Sequence, residues 1–172
     1  VVRDGDFVAS PWSGVSIEVL SPPEDLIYKG KKADVNENSI VLKVTYGETT
    51  YLLTGDAETE AEEYLLSTYV DIDADILKAG HHGSSTSSTY AFLKAVTPDV
   101  VVISCGADND YGHPHIEPLE NFAKFTTADK IFRTDSDGDV VVTTDGKEYS
   151  FTVRNAPHDA SKILISGNGV KV

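Results

Sequence analysis

The sequence predicts a layered α/β domain, on three observations. Strand-like segments alternate with amphipathic helical ones through the middle of the chain, and strands pair as hairpins near both ends. A length of 172 residues suits one compact unit. Hydrophobic residues make up 40% and charged residues 24%, the balance of a packed core under a charged surface and not of a disordered chain.

The elements follow in order. Residues Val15 to Leu20 alternate weakly and predict a short strand that ends at Ser21-Pro22-Pro23. Residues 24–38 are polar, with a Lys29-Gly30-Lys31-Lys32 cluster, and predict an exposed loop. From Ser39 to Tyr46 the alternation is strict and puts Ile40, Leu42, Val44 and Tyr46 on one face. Gly47-Glu48 then turns the chain into a second strand over 49–54, which makes a β-hairpin. A helix is predicted after Gly55-Asp56, with Ala57, Ala61, Tyr64 and Leu65 on one stripe. Ala74 to Ala79 forms an apolar strand that runs into Gly80-His81-His82-Gly83.

Ser87 or Ser88 is placed to cap a helix over 89–96, which Thr97-Pro98 ends. Val100 to Ser104 is a continuous apolar run, as in a strand covered on both faces. Pro118 suits the first turn of a helix through Phe125, with Leu119, Phe122 and Ala123 facing inward. Short strands are predicted over 130–133, 139–144 and 148–153, the last two joined by an Asp145-Gly146 turn. Residues 1–154 then form the domain, and 155–172 read as a tail or a terminal strand.

Composition narrows the function. Against 14 Lys and Arg stand 28 Asp and Glu, for a net charge of −14. That argues against a broad cationic surface for nucleic acid. It leaves room for a phosphate substrate whose charge a bound metal meets. No apolar run approaches the ~18–20 residues of a membrane-spanning helix. Cys105 stands alone, which excludes an internal disulfide and a multi-cysteine zinc site within the chain. The absence of methionine and of a signal-like start predicts a processed chain, a trimmed one or a piece of something longer.

Chemistry-bearing residues collect after predicted strands. Leu52-Leu53-Thr54 leads to Gly55-Asp56, the strand over 74–79 leads to His81 and His82, and the strand over 100–104 is followed by Asn109-Asp110-Tyr111-Gly112-His113-Pro114-His115. Ligands collect beyond strand ends in open α/β sheets. Asp56, His81/His82 and His113/His115 therefore form a candidate carboxylate-plus-imidazole metal constellation. The bland alternatives are an Asp56 helix cap, a Ser84–Ser88 run that caps the next helix, and hydrogen-bonded surface histidines. Asp135 to Asp139 is similar to a calcium loop but lacks its final Glu and reads as a turn; His158 takes no role. Spacing alone leaves the site half-built, because a catalytic zinc or manganese centre needs three or more protein ligands.

Four motifs in sequence carry a resemblance. They are Asn36-Glu37-Asn38-Ser39-Ile40-Val41-Leu42, Leu52-Leu53-Thr54-Gly55-Asp56, Gly80-His81-His82-Gly83-Ser84 and Asn109-Asp110-Tyr111-Gly112-His113-Pro114. Arg133-Thr134-Asp135 and Gly138 extend the series. It resembles the metallo-β-lactamase-fold domain of ComEC-type DNA-internalisation competence proteins, over roughly residues 15–151. The resemblance implies an αββα sandwich, of which this chain supplies mainly the second half. It implies Asp56 and His81 as metal ligands, with His82 left open between ligation and substrate contact. It implies His82 and His113 as catalytic groups, and Asn109, Tyr111 and Ser84 on the substrate side.

The implied cofactor is a divalent metal, zinc or manganese, two ions in a complete domain, weakly held or absent in this chain alone. The implied activity is phosphodiester hydrolysis in nucleic acid. Alternatives are a small phosphoester substrate, or a non-catalytic interaction or structural module. The family's His-x-His-x-Asp-His motif is absent from this sequence. The expected partners are therefore the missing N-terminal half of the same domain or a homodimer across a bare sheet face, with single- or double-stranded DNA as a candidate substrate. The resemblance also implies an extracytoplasmic or secreted location.

Overall fold

A computed structural model describes residues 1–155, 158–164 and 167. Six strands form a mixed sheet, in the order Val15–Ser21, Val41–Tyr46, Thr49–Leu53, Ile76–Lys78, Val100–Ile103 and Ile131–Arg133. Strands β1 (Val15–Ser21), β4 (Val41–Tyr46) and β5 (Thr49–Leu53) run as an antiparallel meander. Strands β6 (Ile76–Lys78), β7 (Val100–Ile103) and β8 (Ile131–Arg133) then add in parallel. The α/β layering expected from the sequence is observed.

Each parallel step needs a crossover, and three helices supply them: α1 (Thr59–Thr68), α2 (Tyr90–Val96) and α3 (Ile116–Phe122). Their buried residues join Leu52, Leu77, Val101 and Ile131 of the sheet in one cluster, so all three helices lie on the same face. Successive same-handed crossovers in one direction produce that one-sidedness. Helix α3 ends at Phe122, earlier than its apolar pattern predicts, and Ala123 is exposed.

The opposite face is not wholly bare. The hairpin of β9 (Val140–Thr144) and β10 (Tyr149–Val153) folds over part of it. There Phe132 stacks on Phe151 at 4.7 Å beside Ile76 and Val100. Farther along, Leu42 and Val44 stay half-buried and Leu53 is exposed. The second layer of this chain thus covers only one end of that face.

Two buried carboxylates supply long-range acceptors at the starts of α1 and α2. Residues 24–38 hold a two-residue ladder, β2 (Tyr28–Lys29) with β3 (Lys32–Ala33), and their last turn tucks inward. Glu37, expected in an exposed loop, is buried there and accepts the Ala61 N–H at 2.8 Å. The first N–H groups of α1 lack helical acceptors, and its N-cap residue Glu58 makes no side-chain cap bond. Helix α2 is capped by Thr89 and not by Ser87 or Ser88, because only Thr89 stands three residues before the Phe92 N–H. Glu62 accepts the Ser88 and Thr89 N–H groups from across the helix pair, and burial pushes its carboxyl up to about 7.

After β8 the chain enters a short helix, α4 (Thr134–Asp137), and leaves it at Gly138 with φ +73°. This is the turn expected over residues 135–139. Within residues 155–172 a short helix, α5 (Ala160–Ile163), places Ile163 in the core. The rest of that segment, including Ile165, lies outside the described residues apart from 155, 158, 159, 164 and 167.

Candidate functional site

The ends of β5, β6 and β7 bring three loops to one edge of the sheet. Backbone contacts hold them together. The Gly55 carbonyl accepts the His81 N–H at 3.2 Å and the Lys78 ammonium at 2.7 Å, and the Gly83 carbonyl accepts the His115 N–H at 2.8 Å. The approach is too close for side chains: a Cβ on Gly83 would stand 2.7 Å from the Pro114 Cβ, and one on Gly80 would stand 2.9 Å from the Ala57 oxygen. Glycine at these positions is a packing requirement as much as a turn signal.

Into this edge project Asp56, His81, His82 and His113. The rings of His81, His82 and His113 lie 5.5–6.4 Å apart, centre to centre. His82 Nε2 stands 3.3 Å from Asp56 Oδ1. His81 and His82 both take left-handed backbone conformations, with φ of 42° and 58°. That costs on the order of 1–2 kcal/mol per residue, which the surrounding bonds must offset. The gain is geometric, because the tight turn lets two adjacent histidines both face the same edge.

The candidate residues differ in what their polar atoms do. His82 Nδ1 bonds the Ser104 carbonyl at 2.6 Å. The Asp56 N–H donates to Ser39 Oγ at 3.0 Å, which fixes the loop that carries the carboxylate. Burial, together with the charges of His115, His81 and His82, pushes the His113 imidazole down to about 4. It is therefore neutral at physiological pH and presents a lone pair. His115 is a structural residue: its Nδ1 accepts the Ser85 N–H at 2.9 Å and its Nε2 meets the Tyr111 carbonyl at 3.0 Å. Asn109 braces the same loop, accepting the His113 N–H and donating to the His113 carbonyl.

A cleft of about 240 Å³ opens beside the cluster, lined by His82, His113, Asn109, Tyr111, Cys105 and Gly106. Burial pushes the Cys105 thiol up to about 12, so it is a neutral part of the wall. Ser84 does not line the cleft; it is buried, with its hydroxyl engaged by Thr86.

Two residues escaped the sequence reading. Glu58 places Oε1 2.9 Å from His81 Nδ1 while Lys29 and Asn36 grip the same carboxylate. Lys78, on a strand with apolar neighbours, donates to both Gly55 and Ala79 and so ties the Asp56 loop to the His81 loop. Burial lowers its pKa. Neither stands in a recognisable motif; the available signal was a charged residue within three positions of Asp56 or His81.

The donor chemistry suits a divalent ion: imidazoles and a carboxylate on an anchored frame. The donor arrangement does not suffice. Among the described residues, no three His, Cys, Asp or Glu side chains are arranged to hold a metal ion.

Comparison with known proteins decides the family. Residues 32–107 match the metallo-β-lactamase superfamily. The chain is 34% identical over 162 residues to ComE operon protein 3 of Bacillus subtilis, covering 94% of this chain and 20% of that protein. It is 41% identical over 128 residues to Competence protein ComA of Neisseria gonorrhoeae, covering 74% and 18%. The chain belongs to the metallo-β-lactamase superfamily. Recombination protein 2 of Haemophilus influenzae is also similar, at 38% identity over 117 residues, covering 68% of this chain and 14% of that protein. The chain spans about a fifth or less of the length of these relatives. The superfamily match covers β3 through the start of the cleft loop, and so includes Asp56, His81 and His82. Members of this superfamily usually bind divalent metals, in keeping with the donor types at the sheet edge. No helix among the described residues is long and apolar enough to cross a membrane.

Proposed function

We propose that this chain is one half of a metal-dependent hydrolase centre of the competence-protein type, acting on phosphodiesters in nucleic acid. The observation that carries the reading is the convergence of Asp56, His81, His82 and His113 at one sheet edge, where the described residues alone are not arranged to hold an ion. The remaining donors come from outside the chain, from the first half of the same domain, seated on the uncovered end of the sheet around Leu42, Val44 and Leu53. A homodimer across that face is the competing arrangement.

A divalent ion, zinc or manganese, supplies a lowered pKa for water and charge neutralisation for phosphate. The chain's own residues do the rest. Asp56 and His81 offer ligand atoms, Glu58 and Lys78 hold their loops, and His82 stands in position to give a proton to the leaving oxygen. His113, kept neutral, offers its lone pair to the ion or to a hydrogen bond from substrate. Asn109 and Tyr111 shape the substrate side. Within this reading the domain faces the extracytoplasmic side.

The test joins this chain to a first half carrying His-x-His-x-Asp-His and assays cleavage of labelled DNA with zinc or manganese and with chelator. Cleavage that requires the metal is expected. Cleavage that survives chelation, or none with either metal, contradicts the reading. The acidic charge favours a second substrate class, and turnover of small phosphoesters without DNA cleavage would select it.

A further inference from the structure

The cleft beside the imidazole cluster presents an unusual ring. Tyr111 is 77% exposed, although it is a large aromatic side chain in a braced loop. One face of the ring lies over His113, at 5.6 Å between centres and 21° between planes. Its position is fixed on both sides: the Tyr111 carbonyl meets His115 Nε2, the Gly112 N–H bonds the Asn109 carbonyl, and Asn109 clamps His113. The loop that carries the ring is thus braced, and the ring itself is backed by His113 and otherwise largely exposed.

We propose that the open face of Tyr111 is a stacking platform for a nucleobase. The inference rests on the hydrolase reading above and specifies its substrate: a nucleotide unit with its base free of a duplex. Three features support that class. The volume of about 240 Å³ is below the roughly 300–1,000 Å³ of sites for drug-sized ligands, which suits one small unit and not a double helix. No Lys or Arg lines the cleft, and the chain carries a net charge of −14. Backbone charge therefore cannot supply the affinity, and a ring-to-ring contact, which every base can make, supplies it instead. Finally, bases inside a duplex have both faces covered, so only an unpaired strand, an extruded base or a free nucleotide can use the platform.

The test is a fluorescence titration of the chain in EDTA, using single-stranded oligonucleotides that contain 2-aminopurine, whose emission falls on stacking. Saturable quenching is expected. Tyr111→Ala should weaken it about 5- to 100-fold, and Tyr111→Phe should retain it. Because no phosphate is neutralised, the affinity should change little between about 50 and 200 mM salt. A 2-aminopurine mononucleotide separates the two sources of the base: equal affinity assigns the platform to free nucleotides, and tighter binding of the oligonucleotide assigns it to a strand. Equal binding of an abasic oligonucleotide, or an unchanged Tyr111→Ala variant, overturns the proposal. The chelator keeps hydrolysis out of the readout. Quenching by the chain, without metal-dependent cleavage by the completed domain, therefore sinks the hydrolase reading alone, and cleavage by the completed domain without quenching sinks the platform alone.

Discussion

Replacing Arg133 by Met is expected to lower the thermal midpoint of the chain by roughly 6–20 °C. Arg133 is 4% exposed, and its guanidinium grips both oxygens of Asp135, at 3.0 and 2.6 Å, while a further N–H reaches the Ile163 carbonyl. The methionine stem fills the same space, so the loss is electrostatic and not a cavity. Breaking one side of a buried pair costs about 3–5 kcal/mol, because the other charge stays behind without compensation. For a chain of this size, each kcal/mol moves the midpoint by about 2–4 °C. The damage should reach the cleft, since Thr134 of the same turn exchanges two hydrogen bonds with the Cys105 backbone. A melting curve by circular dichroism checks it, and a shift under about 2 °C would mean that Asp135 finds other partners.

Replacing Asp56 by Ala should leave that midpoint nearly unchanged and remove function. Its side chain is 41% exposed, and its backbone bond to Ser39 survives the substitution. In a protein with the completed domain, metal affinity and hydrolysis should fall by more than about 100-fold. Loss of an outer partner alone costs about 10- to 100-fold, and Asp56 is assigned to the ion itself. Metal titration and a cleavage assay read the two effects separately. Full metal affinity in the variant would remove Asp56 from the ligand set.

What the sequence revealed and what it hid divide on physical lines. Strands β4 to β7 were legible because their residues alternate or run apolar between glycine turns, and the motif residues stood out because they follow those strands. Long-range capping was not legible. Glu37 and Glu62 belong to polar stretches, yet each crosses to the first turn of a helix distant in sequence or space. Pattern reading sees only local acceptors, which is why it chose Ser87 or Ser88 over Thr89. The paired left-handed backbones of His81 and His82 were equally hidden, because nothing in a His-His pair signals that conformation.

The division of His113 from His115 is a tertiary fact too. Both are candidate ligands by spacing, but only the structure shows both His115 nitrogens engaged within the loop. The covering of the second sheet face by β9 and β10 is a tertiary fact of the same kind: the hairpin was legible, its docking was not.

On the proposed function, this chain holds part of a metal centre whose other donors lie elsewhere. Calorimetric titration of zinc and manganese into the pure chain tests it most directly. Weak binding is expected, reduced further by Asp56→Ala and His81→Ala, with tight binding only after the chain is joined to a half that carries His-x-His-x-Asp-His. Tight, stoichiometric binding by the 172-residue chain alone would contradict it.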